Sequence, residues 1–262
     1  MSSERRIWLT GASSGIGAAL AEQLLAQGHR LVLSARRVEP LQALAARFPG
    51  RVLVLPGDLG EADQVREIGE QIAQQWGALD GAILNAGTCE YIDAQHFEAA
   101  MVERVMRANL LSASYCIEAA LPLLRAGHEP HLVAVASSVT YLPLPRAEAY
   151  GASKAALRYL MQALRIDLAA EGIDVTLVSP GFVETPLTAR NDFAMPMTWS
   201  AEKAALHIAK RMAKRPHEIA FPGPFIAVLK LLASLPSTVQ LALGKRMARS
   251  AEPVSHSAKD DV

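Results

Sequence analysis

Short apolar runs rich in valine, isoleucine and leucine recur along the chain: IWLT (7–10), RLVLSA (30–35), RVLVLP (51–56), GAILNA (81–86), HLVAVA (131–136) and DVTLVSP (174–180). They are too short for ordinary helices, and they read as buried strands. Between them lie alanine- and leucine-rich stretches of helical period at 18–27, 62–75, 101–124 and 152–170. Alternating strand and helix predicts an α/β architecture: a doubly wound parallel sheet with helices on both faces, because right-handed crossovers need a helix to return the chain. Residues 218–221 add a seventh strand, giving a parallel sheet of about seven. No repeat or linker breaks the pattern, so residues 1–249 read as one domain and the polar stretch 250–262 as a frayed tail.

Composition narrows the partners. The chain has 262 residues, 51% hydrophobic and 20% charged, with 26 basic against 26 acidic side chains. A balanced charge offers no global field for nucleic acid or an anionic membrane. Cys89 and Cys116 lack metal-ligand spacing, so they read as small buried hydrophobes, with neither a disulfide nor a bound metal expected. MSSERR runs straight into an apolar strand rather than a secretory hydrophobic region, which favours a cytoplasmic address. The stretch 221–243, FPGPFIAVLKLLASLPSTVQLAL, is unusually apolar, but Lys230, Pro236, Ser237 and Gln240 interrupt it. It falls short of the ~20 apolar residues of a membrane span. Two short amphipathic helices within 221–249 either pack on the core or a second subunit, or lie on a bilayer with Lys245, Arg246 and Arg249 near phosphates.

Candidate chemistry begins at AEAYGASKAA (147–156), where Tyr150 and Lys154 stand four apart on one helical face. A phenol ionises near pH ~10 in water, and a nearby ammonium is expected to lower that value and make proton transfer feasible. After the first strand comes Thr10-Gly11-Ala12-Ser13-Ser14-Gly15-Ile16-Gly17, followed by a helix. Glycines at 11, 15 and 17 suit a tight turn and close backbone approach, and a helix N-terminus offers N–H groups to a pyrophosphate. At the end of the second strand, where an acid would bind both ribose hydroxyls of NAD, stand Ala35, Arg36 and Arg37. Guanidinium groups there suit the extra 2′-phosphate, favouring NADP(H) over NAD(H).

From about 7 to 185 the chain resembles the short-chain dehydrogenase/reductase family in its single-domain Rossmann form. TGASSGIG (10–17) looks like the family's cofactor turn, including Ser13, Ser14 and Ile16, and YGASK (150–154) like its YxxxK element. Asp58 and Leu59 stand where the family contacts adenine, and Asn85-Ala86-Gly87 resembles its NAG element. Asn109 in RANLLSA and Ser138 in ASSV match its catalytic asparagine and serine, while Pro180, Gly181, Val183 and Thr185 belong to a segment folded over the nicotinamide. The resemblance implies that Tyr150 exchanges the proton, Ser138 holds the substrate oxygen and Lys154 tunes Tyr150 and binds the nicotinamide ribose. Asn109 would hold a water linking Lys154 to solvent, and Thr185 the carboxamide. Ser138 lies 12 positions before Tyr150, one fewer than the commonest family interval, so either loop 140–146 is trimmed or Ser137 takes the role. Ser138 is favoured because Val139 preserves the Ser-Ser-hydrophobic ending. His131 reads as a strand-entry residue rather than a base.

The stretch 186–200 carries Phe193, Met195, Met197 and Trp199 beside Arg190, Asn191 and Asp192. It either closes over an apolar substrate or covers the core. The expected activity is hydride transfer between NADPH and a small or medium apolar ketone, aldehyde or alcohol. A 3-oxoacyl thioester reductase and a non-enzymatic NADP-binding regulator are the alternatives. The resemblance also implies a homo-oligomer, dimer or tetramer, through helices at 101–124 and 152–170.

Overall fold

The computed structural model describes residues 4–247; the 250–262 tail and Arg249 lie outside them. The elements run β1 (Arg6–Thr10), α1 (Gly15–Ala26), β2 (Arg30–Ser34), α2 (Glu39–Arg47), β3 (Val52–Val54), α3 (Ala62–Trp76), β4 (Gly81–Leu84), α4 (Ala99–Met106) and α5 (Ser112–Arg125). They continue with β5 (His131–Val135), α6 (Glu148–Ala169), β6 (Asp174–Pro180), β7 (Val183–Glu184), β8 (Trp199–Ser200), α7 (Ala201–Met212), β9 (Glu218–Phe221), α8 (Gly223–Ala233) and α9 (Ser237–Met247). The main sheet has seven strands in the order β3-β2-β1-β4-β5-β6-β9, and β7 pairs with β8 alone. Every pairing is parallel.

The pleat explains why the strands read as unbroken apolar runs. Trp8, Val32, Leu132 and Ala134 project to one face, against Ile68 and Ile72 of α3, Ile117 and Leu124 of α5, and Leu157 and Met161 of α6. Their neighbours Ile7, Leu9, Leu31, Leu33, Val133 and Val135 project to the other, against Leu20 and Leu24 of α1 and Ala204 and Ile208 of α7. With both faces covered, successive residues must all be apolar. Cys116 joins the first of these cores.

One expected helix is interrupted. Residues Arg107–Leu111 form a turn of π-helix between α4 and α5, so the stretch 101–124 is not a uniform helix. The Ser112 hydroxyl donates to the Ala108 carbonyl (2.6 Å) at this turn, giving a polar partner to a backbone group where the usual ladder is disturbed.

The sheet is fastened at the end away from the strand C-termini. Asp80 accepts hydrogen bonds from the Arg6 backbone (2.8 Å), the Arg6 guanidinium (2.9 and 3.1 Å) and the His128 N–H (2.9 Å). Burial alone would raise its carboxyl, but these donors reverse that and bring it down to about 2. His131 opens β5 at the same end, buried, with Nε2 2.8 Å from the Thr176 hydroxyl. Burial pushes its imidazole down to about 4. It is a strand-entry residue remote from the strand C-termini.

Candidate active site

Between β1 and β4 the chain reverses its direction of travel across the sheet, and the crevice beyond the C-terminal ends of such strands is where doubly wound folds take ligands. The turn after β1 needs its glycines. Gly11 and Gly15 have φ of 67° and 53°, in the left-handed region that side chains with a Cβ resist. A Cβ on Gly17 would lie 2.2 Å from the Gly11 carbonyl oxygen and 2.5 Å from the Asn85 amide nitrogen. Ser14 precedes α1 without capping it through its side chain, leaving the helix's first N–H groups facing the crevice.

The turn is braced from β4. The Asn85 amide donates to the carbonyls of Thr10 and Gly11 (both 3.2 Å), and the backbone N–H groups of Asn85 and Ala86 donate to the Thr10 hydroxyl (3.0 and 3.2 Å). The resulting cleft, about 850 Å³, is walled by Gly11, Ser13, Ser14, Gly15, Ile16, Arg36, Arg37, Asp58, Leu59, Asn85, Ala86 and Gly87 on this side. Gly17 lies behind the wall as the contact that lets α1 approach. Arg37 donates to the Ser13 carbonyl (3.0 Å), which holds an exposed guanidinium beside the turn. Asp58 accepts from the Gly60 N–H (2.9 Å), fixing the loop whose Leu59 is buried beneath it. A glycine cradle, free helix N–H groups and two cations form a donor set that fits a dinucleotide carrying phosphates.

At the other end of the cleft, Tyr150 and Lys154 occupy the start of α6, and Ser137 extends from the end of β5 beside them. Lys154 Nζ donates to the Val135 carbonyl (2.9 Å) and lies 5.9 Å from the centre of the Tyr150 ring. Two corrections follow. Burial opposes the expected lowering of the phenol: it pushes Tyr150 up to about 12, only partly offset by a hydrogen bond with Ser137. Lys154 remains bound to the backbone, and burial brings it down to about 8. The second correction concerns the serine. Ser137 faces Tyr150 and the cleft, whereas Ser138 is buried and does not wall it. Ser137 stands 13 positions before Tyr150, so loop 140–146 carries no deletion. Neighbouring residues leave an extended strand in opposite directions, and only one serine can face the cleft.

Asn109, fully buried in the π-turn, has its amide committed. Its nitrogen donates to the Thr88 carbonyl and the Ser153 hydroxyl (both 2.9 Å), and its oxygen accepts from the Thr88 N–H (2.7 Å). Ser153 in turn donates to the Tyr150 carbonyl (2.8 Å). The Asn109 side chain is therefore a brace between the loop after β4 and the turn that carries Tyr150. Gly87 is necessary to it, since a Cβ there would meet Asn109 Oδ1 at 2.8 Å and Lys154 Nζ at 3.2 Å.

The roof comes from 180–198. Pro180, Gly181, Val183 and Thr185 wall the cleft. The Thr188 hydroxyl donates to the Val183 carbonyl (2.6 Å) and accepts from the Thr185 N–H (3.0 Å). The Tyr91 hydroxyl donates to Asn191 (2.6 Å), and the Arg146 guanidinium donates to both oxygens of Asp192 (3.0 and 3.1 Å). Phe193 lies edge-on to Tyr91 (5.6 Å) and Phe182 (6.1 Å). Trp199 instead stacks on Phe221 (4.9 Å) and packs on the core. Of the two roles expected of the segment, Trp199 thus takes that of covering the core.

The pattern of the short chain dehydrogenase family matches residues 5–195. The chain belongs to the short-chain dehydrogenase family. An uncharacterized oxidoreductase of Myxococcus xanthus is 33% identical over 249 residues, covering 94% of this chain and 98% of that protein. The 11-beta-hydroxysteroid dehydrogenase A of Sesamum indicum is 37% identical over 69% of this chain and 53% of its own length. Among solved structures, a short-chain dehydrogenase from Streptomyces avermitilis superposes with a TM-score of 0.78 at 24% identity, covering 93% of this chain and 96% of that one. As a short-chain dehydrogenase the chain is an oxidoreductase, and members of the family generally use NAD(P).

Several residues that shape this dehydrogenase site were not singled out from the sequence: Thr10, Thr88, Tyr91, Arg146 and Ser153. The 13-residue interval to Tyr150 was the available signal for Ser137. The clasp that holds the turn after Ser137 carried no local signal. There Glu218 accepts from Tyr141 (2.7 Å), Ser179 (2.7 Å) and Arg158 (2.6 Å), the farthest of them 77 positions away in sequence. Burial would raise that carboxyl, but the donors bring it down to about 2.

Proposed function

We propose that this short-chain dehydrogenase interconverts a carbonyl and an alcohol on a small or medium apolar substrate, with NADP(H) as the hydride partner. The observation that carries this reading is the convergence of Tyr150, Ser137 and Lys154 at one end of the cleft whose other end is the glycine turn. A nicotinamide held beside Tyr150 and Lys154 would supply or accept the hydride. Tyr150, its phenol raised by burial, stays protonated at neutral pH and donates to the carbonyl oxygen during reduction. Ser137 donates to the same oxygen as negative charge grows there, help worth about 3 kcal/mol in comparable sites. Lys154 keeps a large cationic fraction near neutrality, binds the sugar next to the nicotinamide and stabilises the phenolate that oxidation requires. Asn109 positions the Tyr150 turn through Ser153.

Arg36 and Arg37 at the adenosine end support the choice of NADP(H), because no carboxylate stands at 35 to repel a 2′-phosphate. Phe182, Phe193 and Tyr91 near the roof support an apolar substrate. The hydroxysteroid dehydrogenase name of the Sesamum indicum relative points the same way. Tyr159 and Ile166, 76% and 77% exposed on α6, support a homo-oligomer assembled through that helix.

The test is NADPH and NADH oxidation over aldehydes, ketones and 3-oxoacyl thioesters, with Tyr150→Phe and Arg36→Ala/Arg37→Ala in parallel. Tyr150→Phe is expected to cut turnover by about 10²–10⁴-fold while NADPH still binds. The arginine pair should lose about tenfold or more in NADPH affinity and little for NADH. Retained turnover in the phenylalanine variant overturns the proton assignment, and equal losses for both nucleotides overturn the phosphate contact.

A further inference from the structure

The last two helices each expose apolar side chains. α8 turns Ile226 and Leu229 inward and leaves Val228 and Leu231 50% and 65% exposed. On α9, Val239 and Leu241 are 41% and 60% exposed, and most of that helix's other described side chains also reach solvent. An apolar groove of about 690 Å³, lined by Leu142, Leu144, Leu232, Leu241 and Leu243, separates α9 from the start of α6. α9 is therefore only loosely seated on the domain.

Charge indicates what covers this face. Residues 222–247 contain Lys230, Lys245 and Arg246 and no aspartate or glutamate, in a chain with 26 basic and 26 acidic side chains in all. Lys230 lies 5.0 Å from the Tyr141 ring centre, while Lys245 and Arg246 are exposed. A two-fold contact between copies would set this cationic face against itself, which costs free energy. An anionic surface would be attracted instead. Each helix has 11 residues, about 16 Å long and far below a bilayer's thickness. Among the described residues no helix is long and apolar enough to cross a membrane.

We propose that α8 and α9 are two interfacial helices that dock this protein on anionic lipid, with Val228, Leu231 and Leu241 entering the boundary between headgroups and acyl chains and Lys245 and Arg246 meeting phosphates. α8 adjoins the roof of the cleft: its Phe225 contacts Phe182 (5.6 Å), which contacts Phe193 (6.1 Å). Docking sets the roof facing a phase in which apolar carbonyl compounds concentrate. The surface itself rests on exposure and charge alone, independent of the reaction assigned to the cleft.

The test is flotation of the full chain with phosphatidylglycerol-containing vesicles and with pure phosphatidylcholine vesicles, at low salt and about 0.5 M salt. Wild type is expected to float with the anionic vesicles and to be released by salt. Leu231→Glu/Leu241→Glu and Lys245→Glu/Arg246→Glu should each reduce the bound fraction about tenfold or more. NADPH binding and melting temperature, measured on the same variants, should stay unchanged. The proposal is overturned if wild type ignores anionic vesicles, or if it binds phosphatidylcholine equally and both variants bind as wild type does. It is also overturned if Leu231→Glu/Leu241→Glu dissociates an oligomer in sedimentation while wild type fails to float, which would assign the face to a second copy.

Discussion

The two halves of the cleft are held by different means. Around the phosphate turn, the backbone supplies nearly every constraint: left-handed φ at Gly11 and Gly15, the Gly17 contact, and Asn85 bonded to the carbonyls of Thr10 and Gly11. Around the rim beside Tyr150, three loops are joined by side chains: Tyr91 to Asn191, Arg146 to Asp192, and Phe193 to Tyr91 and Phe182. A ligand common to a whole family can be met by fixed backbone. A substrate that differs from member to member calls for a rim whose side chains can change without disturbing the turn.

The contrast predicts unequal sensitivity. The largest effect is expected from Gly17→Ala, whose Cβ would sit 2.2 Å from the Gly11 carbonyl oxygen. Backbone cannot yield there as a flexible side chain would, so α1 must move away from β4. Overpacking of this kind costs roughly 1–3 kcal/mol, and nucleotide titration should show NADPH affinity largely lost along with a lower melting temperature. Normal affinity in this variant would show that the turn is not rigidly held. Next comes the serine pair at the seam between the halves. Ser137→Ala should lower kcat about 10²-fold or more with little change in NADPH affinity, and Ser138→Ala should leave kcat within a few-fold of wild type. The reverse ranking would restore Ser138 to the role first expected of it.

The same contrast explains how much could be read in advance. The sheet and the phosphate turn are legible because each depends on local pattern: apolar runs buried on two faces, and glycines placed between a strand and a helix. Tyr150 and Lys154 are legible because one helix carries both. Ser138 was misread because the choice depended on where β5 leaves the sheet, which two adjacent serines do not reveal. The phenol's direction was misread because proximity in sequence counted the Lys154 charge but not the desolvation both groups undergo at the base of the cleft. The bonds of Asn109 to Thr88 and Ser153 depend on the π-turn, a backbone feature with little sequence signature. The polar rim contacts join residues 46 and 100 positions apart, and no local pattern encodes them.

The smallest predicted effect probes the rim alone. Arg146 has φ of 66°, uncomfortable for arginine, and its guanidinium both binds Asp192 and lies 5.3 Å from the Tyr91 ring centre. Arg146→Ala would remove the side chain but keep the backbone strain, whereas Arg146→Gly removes the side chain and suits the positive φ. The ion pair is solvent-exposed and worth at most about 1 kcal/mol, so loosening the rim should change substrate KM by only about two- to fivefold. If the side chain matters by fastening the loops, both variants should shift KM alike, and glycine should melt higher than alanine. NADPH affinity should stay at the wild-type value in both, since neither touches the turn. A fall in NADPH affinity matching the change in KM would mean that the rim and the turn move as one body, and the division between the two halves would fail.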